Sequence, residues 1–186
     1  GHTVATEHTM YATTSKLWDL AAKRNLTNVD EKGNSWDKDF KPWKFKDDAQ
    51  FADRGDTRAI SFSFWQGYNQ YDVKWVYEKN LNIYNRENGG QPHKYKNNDK
   101  QYQAKNVVVL FMNERTANDG YENNLHLLYG TKGQGQALVF QDGKKIEGAW
   151  QKRDREARTI ILDSKGVEVK FDRGTVWFEI LPTANK

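Results

Sequence analysis

The chain has 186 residues, of which 37% are hydrophobic and 13% aromatic, including seven Trp and nine Tyr. Each large aromatic ring can bury roughly 150–250 Å², so this composition excludes gross disorder and fits one folded domain, with or without an appendage. The longest uninterrupted apolar run, Val107 to Met112, is far shorter than the roughly 20 residues that a membrane-spanning helix needs.

Cysteine is absent, which excludes disulfides, thiolate catalysis and cysteine-ligated metals. The chain has 29 Lys and Arg against 25 Asp and Glu, a net charge of +4. Because both signs are interspersed along the chain, the charge indicates a solvated surface rather than a clamp for a polyanion. Nucleic-acid binding is therefore disfavoured.

Residues 1–56 are predicted to form a helix and an irregular segment that pack on the same domain as the rest of the chain. Thr13 offers an N-cap hydroxyl, Leu17 and Leu20 follow at helical spacing, and Asn25 supplies a stop. We therefore expect a helix over 16–24 that buries Leu17 and Leu20. The segment that follows is expected to be pinned by its aromatic side chains, Trp36, Phe40, Trp43 and Phe45.

Residues 57–186 are predicted to form an antiparallel β domain. Ile60, Phe62 and Phe64 alternate with serines, and turn signals recur every 8–12 residues between β-branched and aromatic segments. The fold class is therefore mainly β, or β-rich α+β: an antiparallel meander forming a sandwich or partial barrel, with one N-terminal helix. The strands are predicted at 57–65, 71–77, 81–84, 106–112, 125–129, 136–140, 144–150, 159–162, 167–171 and 175–181.

The stretch 85–100 is predicted to be a loop that displays Arg86 and His93 beside the aromatic strand of Trp75 and Tyr77. Gly89-Gly90 allows backbone geometry that other residues avoid, and Pro92 restricts the approach to His93. A rigid loop of this kind could bind an anion or a sugar. The alternative is a surface loop whose glycines only make a turn.

No metal site, cofactor or catalytic constellation is predicted. His8, His93 and His126 are isolated, without the spacing of a metal motif. The Gly130–Gly135 segment lacks the phosphate-loop pattern, there is no G-x-S-x-G elbow, and no pair of carboxylates stands out. The basic stretch 144–158 is interrupted by acidic residues, which favours a solvated, salt-bridged face.

Several motifs together resemble the C-terminal half of the YerB-like lipoproteins of bacteria, a family labelled as being of unknown function. Near the start, His8 to Thr13 is similar to the family's Pro-His-Asn-Leu-Tyr segment, with Glu7 in place of the proline. The other matching blocks are Tyr71–Tyr77, Tyr84–Arg86, Gly89–His93, Ala104–Val109, Gly133–Lys144, Ile146–Lys152 and Arg173–Pro182.

The resemblance implies an extracytoplasmic domain, tethered to the membrane by a lipidated N-terminus that this sequence does not contain. The family's N-terminal half also has no counterpart here. We therefore expect a non-enzymatic module that binds envelope glycan or an envelope protein through Trp75, Tyr77, Arg86 and His93. The alternative is a cell-envelope hydrolase or transferase that uses His93 as general base with an unidentified carboxylate.

Overall fold

The computed structural model describes residues 10–124 and 126–185, and it is mainly β with one α-helix. The predicted fold class is therefore confirmed. The elements are α1 (Thr14–Lys23), β1 (Phe45–Lys46), β2 (Ala59–Phe62), β3 (Val73–Glu78), β4 (Ile83–Asn88), β5 (Gln91–Pro92), β6 (Gln103–Ala104), β7 (Asn106–Met112), β8 (Glu114–Thr116), β9 (Leu127–Tyr129), β10 (Gly133–Gln141), β11 (Lys144–Lys152), β12 (Ile160–Asp163), β13 (Phe171–Asp172) and β14 (Val176–Pro182).

The chain divides into two units, the first ending at Pro42 and the second beginning at Trp43. In the first unit, the Thr13 hydroxyl accepts a hydrogen bond from the Lys16 N–H at 3.3 Å and caps α1. Asn25 follows the helix at a φ of +52° and ends it. No residue of α1 is buried, so the prediction that Leu17 and Leu20 are buried is wrong.

Polar contacts, rather than rings, order the segment after α1 in the first unit. The Asp30 carboxylate accepts the backbone N–H groups of Lys32 and Asn34 at 2.9 and 2.8 Å, whereas Trp36 and Phe40 are exposed. These two rings therefore do not pin the segment as predicted. The joint packing of residues 1–56 with the β domain stays a prediction.

The second unit contains two main sheets. A five-stranded sheet has the order β12-β11-β10-β7-β14, and a second sheet has the order β2-β3-β4-β5, with β6 also paired to β4. Most pairs are antiparallel, but β14 runs parallel to β7 and β1 runs parallel to β13. Parallel neighbours need a crossover connection. The two parallel pairs therefore go beyond a simple meander, in which every pair is antiparallel.

The central strand β7 is buried along its whole length, as predicted from its unbroken apolar run. Val107 and Val109 face a core that also contains the inner residues of β3 and β4. Val108 and Leu110 face a second core on the opposite side of the sheet, which contains Phe171. The parallel strand β14 therefore lies beside the most buried part of the unit, and its inner residues face β3 and β4.

Several predicted strands differ in extent: β2 is shorter than the predicted 57–65, β4 continues beyond the predicted 81–84, and β10 is longer than the predicted 136–140. The segment 167–171 is paired only at its end, in β13, apart from one isolated bridge between Leu162 and Glu168. The strand predicted from Leu125 begins at Leu127, and Leu125 lies outside the described residues. Within the described ranges, no helix combines the length and apolarity that crossing a bilayer requires.

Candidate ligand-binding site

Arg86 lies inside strand β4 and not in a loop, so the loop predicted over 85–100 is wrong at its start. Its side chain is only 6% exposed, and it follows Tyr84 on the inner face of β4. The polar run Asn85 to Asn88 concealed this strand from sequence patterns. An arginine can occupy a core position only where a partner neutralises it.

That partner is Glu179, which comes from β14 and reaches across the core between the sheets. Arg86 Nε donates to Glu179 Oε1 at 3.1 Å, and the Trp75 indole N–H donates to the same oxygen at 3.1 Å. The guanidinium also lies over the rings of Trp75 and Trp177, at 5.8 and 5.2 Å from their centroids. Burial raises the pKa of Glu179, although Arg86 opposes this shift. We name Arg86, Glu179, Trp75 and Trp177 the Arg86 cluster.

His93 lies at the outer end of this cluster and is half-buried. Arg86 Nη1 is hydrogen-bonded to His93 Nδ1. Because arginine has no acceptor atom, His93 Nδ1 must be the acceptor, so a neutral His93 carries its proton on Nε2. Burial and the Arg86 guanidinium both lower the pKa of His93. His93 is therefore a neutral group whose free ring N–H acts as a donor.

Three rings lie beside one another at this position. Tyr102 lies 4.6 Å from His93 and 3.9 Å from Tyr95, centroid to centroid. Tyr95 is 41% exposed, and Tyr102 also contacts Trp177 at 5.5 Å. We name His93, Tyr102 and Tyr95 the ring row. It extends from the buried Arg86 cluster to the surface.

The ring row is carried by the segment 93–102, which folds back on itself and is bonded to the backbone of Arg86. Arg86 N–H donates to the Tyr102 carbonyl at 2.9 Å, and the His93 N–H donates to the Arg86 carbonyl at 2.9 Å. The Gln101 amide donates to the same Arg86 carbonyl at 2.8 Å. The residue that holds the buried pair therefore also anchors the segment that displays the rings.

A tight turn leads into this segment. Gly89 and Gly90 connect β4 to β5 with φ values of +55° and +75°, as a two-residue type I′ hairpin requires. A Cβ on Gly89 would lie 2.8 Å from the backbone oxygen of Gln70. The glycines are thus needed for both backbone conformation and space, and they return the chain so that Pro92 and His93 lie beside Arg86.

Tyr77 belongs to a different part of the unit. Its hydroxyl donates to Asn82 Oδ1 at 2.8 Å, and Asn82 Nδ2 donates to Asp142 Oδ1 at 2.9 Å. Lys46 Nζ joins two carboxylates there, 2.5 Å from Asp142 Oδ2 and in contact with Asp172. We name Lys46, Asn82, Asp142 and Asp172 the Asp172 cluster.

The Asp172 cluster contains more acid than base. Asp172 is fully buried, and its Oδ2 has no hydrogen-bond partner among the described residues. Burial and the neighbouring Asp142 together raise the pKa of Asp172 to about 6, against the lowering effect of Lys46. Burial also acts on Asp142, but hydrogen bonds from Lys46, Asn82 and the Ala49 N–H lower its pKa overall. A proton on Asp172 therefore relieves the repulsion between two buried carboxylates.

The structure thus brings Trp75, Arg86 and His93 into one network and leaves Tyr77 in another. Trp75 has no exposed surface and Tyr77 is only 8% exposed, so neither ring offers a face on which a ligand could stack. The binding role of the four residues stays a prediction, and His93 is the only one of them that is partly exposed.

Sequence reasoning missed Glu179, Tyr95, Tyr102 and Trp177. A signal existed for Glu179, because a lone carboxylate inside the apolar run 176–181 needs a buried cation. No comparable signal marked the tyrosines, which lie in a Lys- and Asn-rich stretch that predicts a loop.

The other histidines do not extend the site. His126 lies just before β9, with its Nδ1 2.7 Å from Asp119 Oδ2 and its ring stacked on Tyr121 at 4.2 Å. His8 lies outside the described residues. In the part of the chain that the structure describes, no three His, Asp or Glu side chains are grouped as metal ligands.

A second set of exposed rings lies elsewhere on the unit. Trp65 contacts Tyr68 and Tyr71 with centroid distances of 6.4 and 6.1 Å, and both pairs are close to perpendicular. The Trp65 indole N–H donates to Glu114 at 3.4 Å. Neighbouring rings of the ring row are tilted by 54° and 39°, so the Trp65 group is further from a common flat face than the ring row.

Comparison with known proteins agrees with the fold. The crystal structure of YerB protein from Bacillus subtilis superposes with a TM-score of 0.73 at 15% identity, over 97% of this chain and 55% of the YerB chain. This chain therefore spans little more than half the length of YerB. No curated protein matches it.

A family model described as "Protein of unknown function (DUF3048) C-terminal domain" matches residues 60–178. This range contains the ring row, Arg86, Trp75 and Trp177, and it ends one residue before Glu179. Since the match covers more than half of the chain, the protein belongs to the DUF3048 C-terminal domain family, as its resemblance to the YerB-like lipoproteins predicted.

Proposed function

We propose that this chain is an extracytoplasmic binding domain of the cell envelope that takes carbohydrate at the ring row. The observation that carries the proposal is the row itself: the ring centroids of Tyr95 and Tyr102 lie 3.9 Å apart with their planes tilted by 39°, beside the N–H of His93. Aromatic faces with a few fixed polar groups are typical of sugar sites, because sugar rings have apolar faces and polar edges.

The Arg86 cluster supports this role by holding the polar part of the site in one state. Arg86 is neutralised by Glu179 and lies against the rings of two tryptophans, so little of its charge is available to a ligand. Its remaining contact fixes the tautomer of His93. A site whose donors are held before the ligand arrives loses less conformational entropy on binding.

The same geometry argues against the alternative, a hydrolase or transferase with His93 as general base. A general base needs a ring nitrogen that is free to accept a proton from the substrate. His93 Nδ1 is occupied by Arg86, and the cation lowers the pKa of the imidazole. Within residues 10–124 and 126–185, no carboxylate is hydrogen-bonded to His93.

The location outside the cytoplasm is supported by the family resemblance alone. A match to YerB over 55% of that chain shows a shared fold, and the resemblance to a lipoprotein family favours an envelope setting. Accessibility of the protein to protease added to whole cells would test this part of the proposal.

Binding is tested by calorimetric titration of neutral and acidic oligosaccharides into the wild-type chain and Tyr95→Ala. Tyr95 is 41% exposed, so its removal leaves the fold intact and should weaken sugar binding about tenfold, the scale of one lost ring contact. Tyr121→Ala is the matched control, because Tyr121 is also an exposed tyrosine in contact with one other ring, that of His126, outside the ring row. Absence of binding to every sugar, or equal affinity of wild type and Tyr95→Ala, would reject the proposal.

A further inference from the structure

The segment that carries the ring row also carries an excess of positive charge. Between His93 and Tyr102 the chain has three lysines and one aspartate, a net charge of +2. Lys94 Nζ lies 2.9 Å from Asp99 Oδ2, so these two charges offset each other. The excess therefore belongs to Lys96 and Lys100.

Both of these lysines are exposed and without a counter-ion. In residues 10–124 and 126–185, no carboxylate lies within ion-pair distance of either ammonium group. Some other lysines of the unit are paired: Lys105 pairs with Asp48, and Lys74 Nζ lies 3.7 Å from Glu87. Unpaired cations on one short segment favour the approach of an anion.

The backbone places these cations around Tyr95. Lys96 directly follows Tyr95, and the Tyr95 N–H donates to the Lys100 carbonyl at 2.8 Å across the turn. Asp99 takes a φ of +58° and closes this turn, with its N–H donating to the Tyr95 carbonyl at 3.0 Å. The residue with the most exposed ring of the row is thus a backbone neighbour of both positions that carry unpaired charge.

We infer that the ligand of the ring row is an acidic sugar polymer, an inference that rests on the proposed function. One sugar ring stacks on Tyr95, and its carboxylate or phosphate group pairs with Lys96 or Lys100. The neutral His93 donates its Nε2–H to a hydroxyl of the sugar. A polymer with one charge on each sugar unit could place one sugar ring on Tyr95 and a charge near Lys96 or Lys100.

A nucleic acid fits this surface less well. Proteins that bind a nucleic-acid backbone make about 6–10 phosphate contacts over a continuous basic surface. Here the hairpin offers two unpaired cations, and the basic stretch 144–158 contains three acidic residues. Single-stranded DNA is therefore included in the test as a competing outcome.

The test compares oligogalacturonate with the same oligosaccharide fully methyl-esterified, by calorimetry at low ionic strength. The two probes share the sugar ring and differ in charge. We expect the acidic probe to bind wild type about fivefold to tenfold more tightly, the scale of one or two exposed ion pairs. The double variant Lys96→Ala/Lys100→Ala should lose this difference and keep its affinity for the ester.

Lys132→Ala/Lys165→Ala is the matched control, because these exposed lysines also form no ion pair within the described ranges and lie in the connections before β10 and after β12. It should retain the full preference for the acidic probe. Equal binding of acid and ester by wild type would overturn the inference and leave the proposed function standing. Binding of neither probe, nor of any other sugar, would reject both.

Two further probes identify the source of the charge. Oligo(glycerol phosphate) carries a phosphodiester charge without a sugar ring, and we expect it to bind more weakly than oligogalacturonate. If it binds equally well, stacking on Tyr95 is not part of recognition and the inference is overturned. Tighter binding of single-stranded DNA than of either polymer, with a steep loss in salt, would overturn it in favour of a nucleic-acid surface.

Discussion

The two charged clusters inside the β unit each pair a cation with a buried carboxylate. They differ in the ratio of acidic to basic groups and in the solvent exposure of the cation. The Arg86 cluster pairs one cation with one anion, Arg86 and Glu179, each about 5% exposed. The Asp172 cluster sets one lysine between two carboxylates, and that lysine is 33% exposed. Only the first has an outer end on a row of rings. A balanced pair can serve as a fixed support, whereas an unbalanced one responds to pH.

Their positions in the fold explain this difference. The Arg86 cluster links the two main sheets through their shared core, from β4 to β14. The Asp172 cluster joins the turn after β3, the Asp142-Gly143 turn between β10 and β11, and the β1–β13 pair. Gly143 takes a φ of +65° there, directly against the ring of Tyr77. The buried charges of the Asp172 cluster therefore hold together turns that lie at the ends of strands.

The largest expected effect is the loss of the balanced pair. Glu179→Gln leaves Arg86 buried without a counter-charge, and we expect the free energy of unfolding to fall by about 3–5 kcal/mol. Urea denaturation of wild type and variant measures the change. The double variant Arg86→Met/Glu179→Gln should recover much of this loss, because it buries no unpaired charge. If Glu179→Gln were as stable as wild type, the Arg86–Glu179 pair would not contribute to the stability of the core.

An intermediate effect is expected from Asp172, whose folded pKa of about 6 lies above its ordinary value of 3.8. The folded state therefore holds this proton more tightly than the unfolded state. The resulting stabilisation is fully present below pH 3.8 and is lost as the pH rises through about 6. Between pH 4 and 7 we expect wild type to lose about 1–2 kcal/mol relative to Asp172→Asn.

Urea denaturation across this pH range measures that difference, and Asp56→Asn, at an exposed aspartate, controls for the loss of a carboxylate elsewhere. The difference between wild type and variant is the readout, because other carboxylates titrate in both proteins. A difference that is independent of pH, or that changes in the opposite direction, would mean that Asp172 does not hold a proton against Asp142 and Lys46.

The smallest expected effect is the pH dependence of stability that comes from His93. Its pKa is lowered beside the Arg86 cluster, whereas the pKa of Asp172 in the other cluster is raised. Burial and Arg86 depress the pKa of His93 below 6.5, so its contribution to stability is present above pH 6.5 and is lost as the pH falls through the lower folded pKa. An NMR titration of the imidazole should give a midpoint below 6.5. Arg86→Gln should move that midpoint upward. A midpoint at or above 6.5 in wild type would contradict the donor role assigned to His93.

Sequence patterns predicted the β scaffold well because its signals are local. The alternation at Val73, Trp75 and Tyr77 matches their burial in β3, and the apolar run 107–112 became a fully buried strand. The same patterns failed from Asn85 to Asn88, where polar side chains fill a strand. Propensity treats such residues as loop formers, but here Arg86 points into the core and is compensated by Glu179, 93 residues further along the chain.

The sequence by itself determined the β-rich class, the glycine turn at 89–90 and the family, since these depend on local periodicity and on short ordered motifs. Only the tertiary structure decided which aromatic residues are available to a ligand. Trp75 and Tyr77 are hidden, whereas Tyr95 and Tyr102 are brought beside His93. Exposure depends on which strands pair and which faces meet, and that is settled by contacts between residues far apart in the chain.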